Sequence, residues 1–131
     1  MGSQSVASAL QLPVRLRGIQ LGRPVDLLVD VDAWNVLGFV VRCGDESRRF
    51  LPLAACQMLD GEIAVGSALM LLEDAGFYEQ RGVSLRSLLG TELAGGRLRD
   101  LCLAPGGHVL ELVVERDGER VTAPVPARAA A

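Results

Sequence analysis

The chain has 131 residues, 50% of them hydrophobic and 22% charged, with a formal net charge of −3. That composition is globular rather than disordered, and its acidic balance argues against nonspecific nucleic-acid binding, which needs a basic surface to neutralise phosphates. No run approaches the ~20 apolar residues of a membrane-spanning helix.

The beginning of the chain, MGSQSVASALQL, is small and polar and lacks the basic region and apolar core of a secretory signal. Residues 1–13 therefore read as a flexible lead-in. A first unit is expected over 14–73, a connector over 74–83, a second unit over 84–126 and a flexible tail over 127–131. The division rests on an internal repeat. Asp26 to Pro52 reads DLLVDVDAWNVLGFVVRCGDESRRFLP, and Asp100 to Pro124 reads DLCLAPGGHVLELVVERDGERVTAP. Val36-Leu37 matches Val109-Leu110 and Val40-Val41 matches Val113-Val114.

Within each unit the apolar residues alternate, as they do in half-buried strands. In Asp26 to Asp32, Leu27, Val29 and Val31 share one face and the aspartates share the other. In the next run Leu37, Phe39 and Val41 are expected on one face, with Leu110, Leu112 and Val114 as their mates. Glu111 and Glu115 mark the opposite face of the second copy as wet. Turns are predicted at Asp32–Asn35, Cys43–Glu46, Asp60-Gly61, Pro105–Gly107 and Asp117-Gly118. Leu53–Met58 reads as a short helical turn, and Ser67–Glu73 is apolar on all sides and fits strand or helix. The sum is an all-β chain of roughly nine or ten short strands with at most short helical turns, curled into one or two small antiparallel barrels that remove the edges.

The chemistry-bearing residues favour structural roles. Asp26 and Asp100 occupy equivalent places, but nothing announces the pocket or pKa contrast of a catalytic pair. Asp26, Asp30 and Asp32 lack the spacing of a calcium loop. His108 is the one histidine and has no cysteine nearby for zinc. Gly106-Gly107 precedes no helix that would cradle phosphate. Ser47 and Ser67 lack a nucleophile elbow. Cys43, Cys56 and Cys102 show no CxxC spacing and read as reduced, mainly buried thiols of a cytoplasmic protein. No catalytic, cofactor-binding or metal-ligating residue is assigned, and no cofactor is expected. All thirteen basic residues are arginine, a usage that fits a GC-rich bacterial genome. Arg48-Arg49 is the one basic doublet, and Arg97 and Arg99 alternate on a strand. Trp34, Phe77 and Tyr78 fall in a predicted turn and in the connector, where aromatics commonly serve binding surfaces. Trp34, Phe77, Tyr78, Arg48 and Arg49 are thus the candidate partner-binding residues.

The progression Leu88-Leu-Gly-Thr-Glu-Leu, then Gly96-Arg-Leu-Arg-Asp-Leu-Cys-Leu, then His108-Val-Leu-Glu-Leu-Val-Val resembles the opening of a PRC-barrel domain. Leu21-Gly22-Arg-Pro-Val, Asp26-Leu-Leu-Val and Leu37-Gly-Phe-Val-Val repeat it, followed by Phe50-Leu-Pro-Leu and Glu62-Ile-Ala-Val. The resemblance implies a tandem of small PRC-barrel-like meanders. Domains of this kind occur in the photosynthetic reaction-centre H subunit, in ribosome-maturation factors and in other prokaryotic proteins, and share binding and assembly rather than catalytic residues. The chain carries neither the transmembrane helix of the first nor the separate N-terminal barrel of the second. The expected function is a noncatalytic, protein-binding assembly or adaptor module of a prokaryotic cytoplasm, with homodimerisation as one form of assembly. The alternative is an RNA- or ribosome-associated maturation factor with a basic strip of Arg48, Arg49, Arg97 and Arg99. Nucleic acid is the less favoured partner.

Overall fold

The computed structural model describes residues 4–59, 61–72, 75–104 and 107–125. The predicted turn residues Asp60, Pro105 and Gly106, the junction at 73–74 and the tail from 127 onward lie outside them. In chain order the elements are β1 (Gln4–Ser5), α1 (Val6–Ala9), β2 (Val14–Leu16), β3 (Ile19–Asp30), β4 (Asn35–Cys43), β5 (Arg48–Pro52), β6 (Cys56–Leu59) and β7 (Glu62–Val65). They continue as α2 (Ala75–Glu79), β8 (Val83–Ser84), α3 (Leu85–Leu88), β9 (Glu92–Leu93), β10 (Gly96–Leu103), β11 (Val109–Arg116) and β12 (Glu119–Pro124). The fold is all-β, and its helices are single turns.

Two sheets carry the repeat. In the first half the strand order is β5-β4-β3-β2-β7-β6, with β8 lying beyond the end of β2 on the same side of β3. Strands β6 and β5 sit at opposite ends of that order, yet only the 3₁₀ turn Leu53–Ala55 separates them in sequence. Three residues span roughly 10 Å at most, so the sheet has to curl into a partial barrel. In the second half the order is β12-β11-β10, with β9 and β1 sharing the far side of β10. Strands β2 to β5 thus correspond to β9 to β12. The close crossing of the long strands is built the same way twice. A Cβ on Gly22 would come within 2.5 Å of the Arg42 carbonyl oxygen, and one on Gly96 within 2.7 Å of the Glu115 carbonyl oxygen.

Irregularities repeat too. The β3–β4 ladder shifts register between Pro24 and Asp26 and between Leu28 and Val29; the β10–β11 ladder shifts between Leu98 and Asp100 and between Cys102 and Leu103. These bulges correct the simple alternation. A bulge adds one residue to one strand and reverses the facing beyond it. Leu37 therefore does not share a face with Phe39 and Val41: it packs on the outer surface with Leu28, Val40 and Phe50. Its mate Leu110 is likewise turned outward and exposed, whereas Val109 is fully buried.

One hydrophobic cluster runs through both halves and includes Leu27, Phe39, Val41, Leu51 and Ile63 from the first with Leu98, Leu101, Leu112 and Val114 from the second. The repeats share a single core. A smaller cluster of Leu28, Val40, Phe50 and Ala75 lies outside the first sheet, where α2 covers it. The expected lead-in is built into the fold from Gln4 on: β1 pairs with β10, and Val6 and Ala9 of α1 are completely buried. The all-apolar stretch after Ser67 forms a 3₁₀ turn, Ala68–Met70, before Leu72 bridges Phe50.

Candidate functional site

The chemistry of this chain concentrates at the junction of its halves, where each contact is made twice. Ser5 ends β1 and caps α1; its hydroxyl donates to Asp100 Oδ2, and the Ala7 amide donates to Asp100 Oδ1 at 3.0 Å. Ser84 ends β8 and stands at the start of α3; its hydroxyl donates to Asp26 Oδ2, and the Arg86 amide donates to Asp26 Oδ1 at 3.2 Å. Each aspartate also accepts the amide of its successor, Leu101 or Leu27, at 2.8 Å. The clasp that begins the first half therefore closes on the second half, and the clasp that begins the second closes on the first.

Between the clasps the strands themselves meet. Asn35 and His108, repeat mates separated by 73 residues, form an antiparallel bridge. The Val36 amide donates to the Gly107 carbonyl at 2.9 Å, and the Val109 amide donates to the Trp34 carbonyl at 2.8 Å. Mates contacting mates reciprocally is the signature of a two-fold, isologous interface, here contained within one chain. The axis passes through the Asn35–His108 pair, whose Oδ1 and Nδ1 atoms are 2.8 Å apart.

Asp26 and Asp100 are only 7% and 8% exposed. Three donors each offset the cost of burying a carboxylate, and both oxygens of each carboxylate are engaged. The sequence reading of these residues as hydrogen-bonded structural aspartates holds, but the place is buried rather than a wet strand face. Ser5 and Ser84 were missed. The signal was the match of Ser5-Val-Ala-Ser-Ala-Leu to Ser84-Leu-Arg-Ser-Leu-Leu, which starts the repeat before Val14.

The candidate partner-binding residues separate into two groups. Trp34 is buried at 7% exposure and belongs to the shared core. Its backbone adopts φ 53°, the left-handed region, where its mate Gly107 has φ 91°. Phe77, Tyr78, Arg48 and Arg49 do come together around β5. Tyr78 stacks on Phe50 with ring centroids 4.4 Å apart, Phe77 meets Tyr78 edge-on at 5.0 Å, and the Arg81 guanidinium lies 4.2 Å over the Phe77 ring. Arg48 pairs with Glu79 of α2 at 3.0 Å, and Arg49 pairs with Asp45 at 3.7 Å. Arg99 pairs with Glu115 at 2.5 Å. Three of the four arginines of the expected basic strip are thus already matched to carboxylates.

Two open clefts occupy equivalent positions, about 530 Å³ beside Gly22, Arg23 and Arg42 and about 500 Å³ beside Gly96, Arg97 and Glu115. Among the described residues no three His, Cys, Asp or Glu side chains gather as a metal site, and no helix is long and apolar enough to cross a membrane. Burial pushes all three thiols up, Cys56 to about 11. No protein-family model matches the chain, and no curated protein shows a significant match to it.

Proposed function

We propose that the chain is a noncatalytic module of PRC-barrel type that binds a protein partner and serves assembly in a prokaryotic cytoplasm. The observation that carries this reading is the apolar display on the segment covering β5. Phe77 is 46% exposed, and Leu69 and Met70 of the same segment are 85% and 39% exposed. Beneath them Tyr78 on Phe50 and Glu79 on Arg48 fix the segment to the sheet. An aromatic held on a rigid base loses little entropy on binding and is the kind of side chain that anchors interfaces. Trp34 supports the core and is not part of this surface.

The test is affinity capture from a prokaryotic extract with the wild-type chain and Phe77→Ala. A true anchor costs 2 kcal/mol or more on truncation, so a bound protein should be lost at an unchanged melting midpoint. Capture indifferent to Phe77→Ala would move the partner surface elsewhere. Capture that vanishes steeply with salt and with ribonuclease would favour the RNA-associated alternative.

A further inference from the structure

We propose that the two halves of this chain also close between copies, giving a dimer in which the second half of each copy docks on the first half of the other. The inference deepens the assembly reading by naming one partner, a second copy. Its basis is the junction. Two clasps and one strand bridge hold the halves together, all related by a two-fold axis. Such an interface is satisfied equally within one chain or across two.

Only the path from α2 to β8 decides which.

Results

Sequence analysis

The chain has 131 residues, 50% of them hydrophobic and 22% charged, with a formal net charge of −3. That composition is globular rather than disordered, and its acidic balance argues against nonspecific nucleic-acid binding, which needs a basic surface to neutralise phosphates. No run approaches the ~20 apolar residues of a membrane-spanning helix.

The beginning of the chain, MGSQSVASALQL, is small and polar and lacks the basic region and apolar core of a secretory signal. Residues 1–13 therefore read as a flexible lead-in. A first unit is expected over 14–73, a connector over 74–83, a second unit over 84–126 and a flexible tail over 127–131. The division rests on an internal repeat. Asp26 to Pro52 reads DLLVDVDAWNVLGFVVRCGDESRRFLP, and Asp100 to Pro124 reads DLCLAPGGHVLELVVERDGERVTAP. Val36-Leu37 matches Val109-Leu110, and Val40-Val41 matches Val113-Val114.

Within each unit the apolar residues alternate, as they do in half-buried strands. In Asp26 to Asp32, Leu27, Val29 and Val31 share one face and the aspartates share the other. In the next run Leu37, Phe39 and Val41 are expected on one face, with Leu110, Leu112 and Val114 as their mates. Glu111 and Glu115 mark the opposite face of the second copy as wet. Turns are predicted at Asp32–Asn35, Cys43–Glu46, Asp60-Gly61, Pro105–Gly107 and Asp117-Gly118. Leu53–Met58 reads as a short helical turn, and Ser67–Glu73 is apolar on all sides and fits strand or helix. The sum is an all-β chain of roughly nine or ten short strands with at most short helical turns, curled into one or two small antiparallel barrels that remove the edges.

The chemistry-bearing residues favour structural roles. Asp26 and Asp100 occupy equivalent places, but nothing announces the pocket or pKa contrast of a catalytic pair. Asp26, Asp30 and Asp32 lack the spacing of a calcium loop. His108 is the one histidine and has no cysteine nearby for zinc. Gly106-Gly107 precedes no helix that would cradle phosphate. Ser47 and Ser67 lack a nucleophile elbow. Cys43, Cys56 and Cys102 show no CxxC spacing and read as reduced, mainly buried thiols of a cytoplasmic protein. No catalytic, cofactor-binding or metal-ligating residue is assigned, and no cofactor is expected. All thirteen basic residues are arginine, a usage that fits a GC-rich bacterial genome. Arg48-Arg49 is the one basic doublet, and Arg97 and Arg99 alternate on a strand. Trp34, Phe77 and Tyr78 fall in a predicted turn and in the connector, where aromatics commonly serve binding surfaces. Trp34, Phe77, Tyr78, Arg48 and Arg49 are thus the candidate partner-binding residues.

The progression Leu88-Leu-Gly-Thr-Glu-Leu, then Gly96-Arg-Leu-Arg-Asp-Leu-Cys-Leu, then His108-Val-Leu-Glu-Leu-Val-Val resembles the opening of a PRC-barrel domain. Leu21-Gly22-Arg-Pro-Val, Asp26-Leu-Leu-Val and Leu37-Gly-Phe-Val-Val repeat it, followed by Phe50-Leu-Pro-Leu and Glu62-Ile-Ala-Val. The resemblance implies a tandem of small PRC-barrel-like meanders. Domains of this kind occur in the photosynthetic reaction-centre H subunit, in ribosome-maturation factors and in other prokaryotic proteins, and they share binding and assembly rather than catalytic residues. The chain carries neither the transmembrane helix of the first nor the separate N-terminal barrel of the second. The expected function is a noncatalytic, protein-binding assembly or adaptor module of a prokaryotic cytoplasm, with homodimerisation as one form of assembly. The alternative is an RNA- or ribosome-associated maturation factor with a basic strip of Arg48, Arg49, Arg97 and Arg99. Nucleic acid is the less favoured partner.

Overall fold

The computed structural model describes residues 4–59, 61–72, 75–104 and 107–125. The predicted turn residues Asp60, Pro105 and Gly106, the junction at 73–74 and the tail from 127 onward lie outside them. In chain order the elements are β1 (Gln4–Ser5), α1 (Val6–Ala9), β2 (Val14–Leu16), β3 (Ile19–Asp30), β4 (Asn35–Cys43), β5 (Arg48–Pro52), β6 (Cys56–Leu59) and β7 (Glu62–Val65). They continue as α2 (Ala75–Glu79), β8 (Val83–Ser84), α3 (Leu85–Leu88), β9 (Glu92–Leu93), β10 (Gly96–Leu103), β11 (Val109–Arg116) and β12 (Glu119–Pro124). The fold is all-β, and its helices are short.

Two sheets carry the repeat. In the first half the strand order is β5-β4-β3-β2-β7-β6, with β8 lying beyond the end of β2 on the same side of β3. Strands β6 and β5 sit at opposite ends of that order, yet only the 3₁₀ turn Leu53–Ala55 separates them in sequence. So short a connection spans on the order of 10 Å, and the sheet has to curl into a partial barrel. In the second half the order is β12-β11-β10, with β9 and β1 sharing the far side of β10. Strands β2 to β5 thus correspond to β9 to β12. The close crossing of the long strands is built the same way twice. A Cβ on Gly22 would come within 2.5 Å of the Arg42 carbonyl oxygen, and one on Gly96 within 2.7 Å of the Glu115 carbonyl oxygen.

Irregularities repeat too. The β3–β4 ladder shifts register between Pro24 and Asp26 and between Leu28 and Val29; the β10–β11 ladder shifts between Leu98 and Asp100 and between Cys102 and Leu103. These bulges correct the simple alternation, because an extra residue in one strand reverses the facing beyond it. Leu37 therefore does not share a face with Phe39 and Val41: it packs on the outer surface with Leu28, Val40 and Phe50. Its mate Leu110 is likewise turned outward and exposed, whereas Val109 is fully buried.

One hydrophobic cluster runs through both halves. It includes Leu27, Phe39, Val41, Leu51 and Ile63 from the first with Leu98, Leu101, Leu112 and Val114 from the second. The repeats share a single core. A smaller cluster of Leu28, Val40, Phe50 and Ala75 lies outside the first sheet, where α2 covers it. The expected lead-in is built into the fold from Gln4 on: β1 pairs with β10, and Val6 and Ala9 of α1 are completely buried. The apolar stretch after Ser67 forms a 3₁₀ turn, Ala68–Met70, before Leu72 bridges Phe50.

Candidate functional site

Most of the polar chemistry of this chain lies at the junction of its halves, where each contact is made twice. Ser5 ends β1 and caps α1; its hydroxyl donates to Asp100 Oδ2, and the Ala7 amide donates to Asp100 Oδ1 at 3.0 Å. Ser84 ends β8 and stands at the start of α3; its hydroxyl donates to Asp26 Oδ2, and the Arg86 amide donates to Asp26 Oδ1 at 3.2 Å. Each aspartate also accepts the amide of its successor, Leu101 or Leu27, at 2.8 Å. The clasp that begins the first half therefore closes on the second half, and the clasp that begins the second closes on the first.

Between the clasps the strands themselves meet. Asn35 and His108, repeat mates separated by 73 residues, form an antiparallel bridge. The Val36 amide donates to the Gly107 carbonyl at 2.9 Å, and the Val109 amide donates to the Trp34 carbonyl at 2.8 Å. Mates contacting mates reciprocally is the mark of a two-fold, isologous interface, here contained within one chain. The axis passes through the Asn35–His108 pair, whose Oδ1 and Nδ1 atoms are 2.8 Å apart.

Asp26 and Asp100 are only 7% and 8% exposed. Three donors each offset the cost of burying a carboxylate, and both oxygens of each carboxylate are engaged. The sequence places them on a wet strand face beside a turn; they are buried instead, each bonded to a serine hydroxyl and a backbone amide at the start of a short helix. Sequence reasoning misses Ser5 and Ser84. Their signal is the match of Ser5-Val-Ala-Ser-Ala-Leu to Ser84-Leu-Arg-Ser-Leu-Leu, which starts the repeat ahead of Val14.

The candidate partner-binding residues fall into two groups. Trp34 is buried at 7% exposure and belongs to the shared core. Its backbone adopts φ 53°, in the left-handed region, where its mate Gly107 has φ 91°. Phe77, Tyr78, Arg48 and Arg49 instead come together around β5. Tyr78 stacks on Phe50 with ring centroids 4.4 Å apart, Phe77 meets Tyr78 edge-on at 5.0 Å, and the Arg81 guanidinium lies 4.2 Å over the Phe77 ring. Arg48 pairs with Glu79 of α2 at 3.0 Å, and Arg49 pairs with Asp45 at 3.7 Å. Arg99 pairs with Glu115 at 2.5 Å. Of the expected basic strip, Arg48, Arg49 and Arg99 are thus each matched to a carboxylate.

Two open clefts occupy equivalent positions, about 530 Å³ beside Gly22, Arg23 and Arg42 and about 500 Å³ beside Gly96, Arg97 and Glu115. Among the described residues no three His, Cys, Asp or Glu side chains gather as a metal site, and no helix is long and apolar enough to cross a membrane. Burial pushes all three thiols up, Cys56 to about 11. No protein-family model matches the chain, and no curated protein shows a significant match to it.

Proposed function

We propose that the chain is a noncatalytic module of PRC-barrel type that binds a protein partner and serves assembly in a prokaryotic cytoplasm. The observation that carries this reading is the apolar display on the segment covering β5. Phe77 is 46% exposed, and Leu69 and Met70 of the same segment are 85% and 39% exposed. Tyr78 on Phe50 and Glu79 on Arg48 fix the segment to the sheet. An aromatic held on a rigid base loses little entropy on binding and is the kind of side chain that anchors interfaces. Trp34 supports the core and is not part of this surface.

The test is affinity capture from a prokaryotic extract with the wild-type chain and with Phe77→Ala. Truncating a true anchor costs about 2 kcal/mol or more, so a bound protein should be lost at an unchanged melting midpoint. Capture indifferent to Phe77→Ala would move the partner surface elsewhere. Capture that vanishes steeply with salt and with ribonuclease would favour the RNA-associated alternative.

A further inference from the structure

We propose that the two halves of this chain also close between copies, giving a dimer in which the second half of each copy docks on the first half of the other. The inference deepens the assembly reading by naming one partner, a second copy. Its basis is the junction. Two clasps and a strand bridge join the halves, all related by one two-fold axis. Such an interface is satisfied equally within one chain or across two.

The path from α2 to β8 decides which. Helix α2 stays with its own first half in either case, since Tyr78 stacks on Phe50 and Glu79 pairs with Arg48. Strand β8 travels with the second half and pairs with β3 of whichever first half receives it. Between them lie Gln80, Arg81 and Gly82. Gln80 and Arg81 are exposed, and one local hydrogen bond, from the Arg81 amide to the Tyr78 carbonyl at 2.9 Å, shapes the turn. Gly82 lies close against the first half, where a Cβ would meet Leu37 Cδ1 at 2.8 Å, so the freedom of the hinge lies in Gln80 and Arg81. If this turn straightens, the Ser84 clasp closes on Asp26 of the second copy, and the Ser5 clasp of that copy closes on Asp100 of the first. Every contact of the junction is kept, and a reciprocal exchange closes with two copies instead of growing into a fibre.

A short linker gives the intrachain arrangement a high effective concentration, so the dilute native chain is monomeric. Exchange requires the junction to open, which makes the dimer slow to form and slow to dissolve. The experiment is native mass spectrometry of the full chain. Wild-type protein with natural isotopes and with ¹⁵N is unfolded, mixed and refolded at low and at high concentration. A mixed-isotope dimer is expected after concentrated refolding and not after brief mixing of native monomers. Deleting Gln80 and Arg81 should hinder intrachain closure and move dimerisation to at least tenfold lower concentration, with Trp34 emission unchanged. A folded monomeric deletion variant would overturn the proposal. So would the absence of mixed dimer after concentrated co-refolding of wild-type chains, which decides the matter if the deletion variant fails to fold. A dimer that forms at once between native monomers and is lost in Phe77→Ala would also overturn it, while supporting the surface reading of Phe77.

Discussion

On β4 the outward-facing residues include Leu37, Gly38 and Val40; at the matching places on β11 stand Leu110, Glu111 and Val113. Phe50 of β5 is opposite Val40, and Thr122 of β12 is opposite Val113. In the first half these positions form an apolar outer surface that Leu72, Ala75 and Tyr78 cover. In the second half the surface is bare: Glu111 and Thr122 are exposed, and so is Leu110. The inner faces and the axis contacts behave differently, since Leu27 and Leu101, Val41 and Val114, Asp26 and Asp100 all keep the same surroundings in both halves. A duplicated meander is held to its pattern where the copies meet each other. Where they do not meet, one copy has taken on a covering segment and the other a polar coat.

The largest effects should come from what the halves share. Val41→Asp and Val114→Asp each place a charge at a fully buried site. An unpaired buried charge costs several kcal/mol, a large part of the ~5–15 kcal/mol that holds a domain of ordinary stability. Neither variant should fold, as read by far-ultraviolet circular dichroism. A folded Val114→Asp protein beside an unfolded Val41→Asp protein would break the single-core description.

Where the halves differ, equivalent changes should have unequal outcomes. A Cβ on Gly38 would sit 2.8 Å from Phe50 Cζ and closer still to the Leu51 carbonyl oxygen. Gly38→Ala should therefore cost about 3 kcal/mol as an overpacking defect. At the matching position, Glu111→Ala should stay within about 0.5 kcal/mol because the side chain reaches into solvent. Urea titrations of the two variants would measure the contrast, and similar midpoints would mean the outer faces are not so different.

The clasps sharpen the comparison in the opposite sense. Asp26→Ala and Asp100→Ala each strip an acceptor from a serine hydroxyl and two amides. The loss should be about 2 kcal/mol in either case, and the two should agree to within about 1 kcal/mol. Ser5→Ala should reproduce part of the Asp100→Ala loss, and the double variant should add little, because the two groups act as one unit. A strong Asp26 effect with a negligible Asp100 effect would show that only one clasp holds.

The strands and their duplication were legible because period two survives in Leu27-Val29 and in Phe39-Val41, and because Asp117-Gly118 marks its hairpin without ambiguity. The bulge at Leu37 was not, since Leu37, Phe39 and Val41 alternate in sequence as though the strand were regular. The clasps were hidden for a different reason. Helices of four residues have no periodicity to detect, and Ser5-Val-Ala-Ser has the small, polar look of a mobile end. What orders it is an acceptor 95 residues away. Trp34 misleads through its setting: a predicted turn suggests exposure, but the ring is buried in the shared core.

The smallest effect expected is kinetic and concerns the thiols. Cys56 lies on β6, an element of the first half that the second lacks, and its thiol donates to the Leu53 carbonyl at 3.4 Å. Burial pushes its pKa to about 11, whereas Cys102, on the bare outer side of the second half, is raised less far. At pH 8 a pKa near 11 leaves about 0.1% thiolate, against roughly a tenth for a thiol at its unshifted value of 9.0. The greater intrinsic nucleophilicity of a more basic thiolate recovers about tenfold of that difference. Native Cys56 should therefore alkylate with iodoacetamide roughly tenfold more slowly than in the unfolded chain, with Cys102 faster than Cys56. The sign of the linkage follows from the same shift. The folded state holds the Cys56 proton more tightly than the unfolded state, so the stability this provides is complete below the ordinary thiol range and is lost as pH rises toward 11. Residue-resolved mass spectrometry of pulse-alkylated protein gives both rates, and a Cys56 that labels as fast as Cys102 at pH 8 would count against the closed first half and the open second.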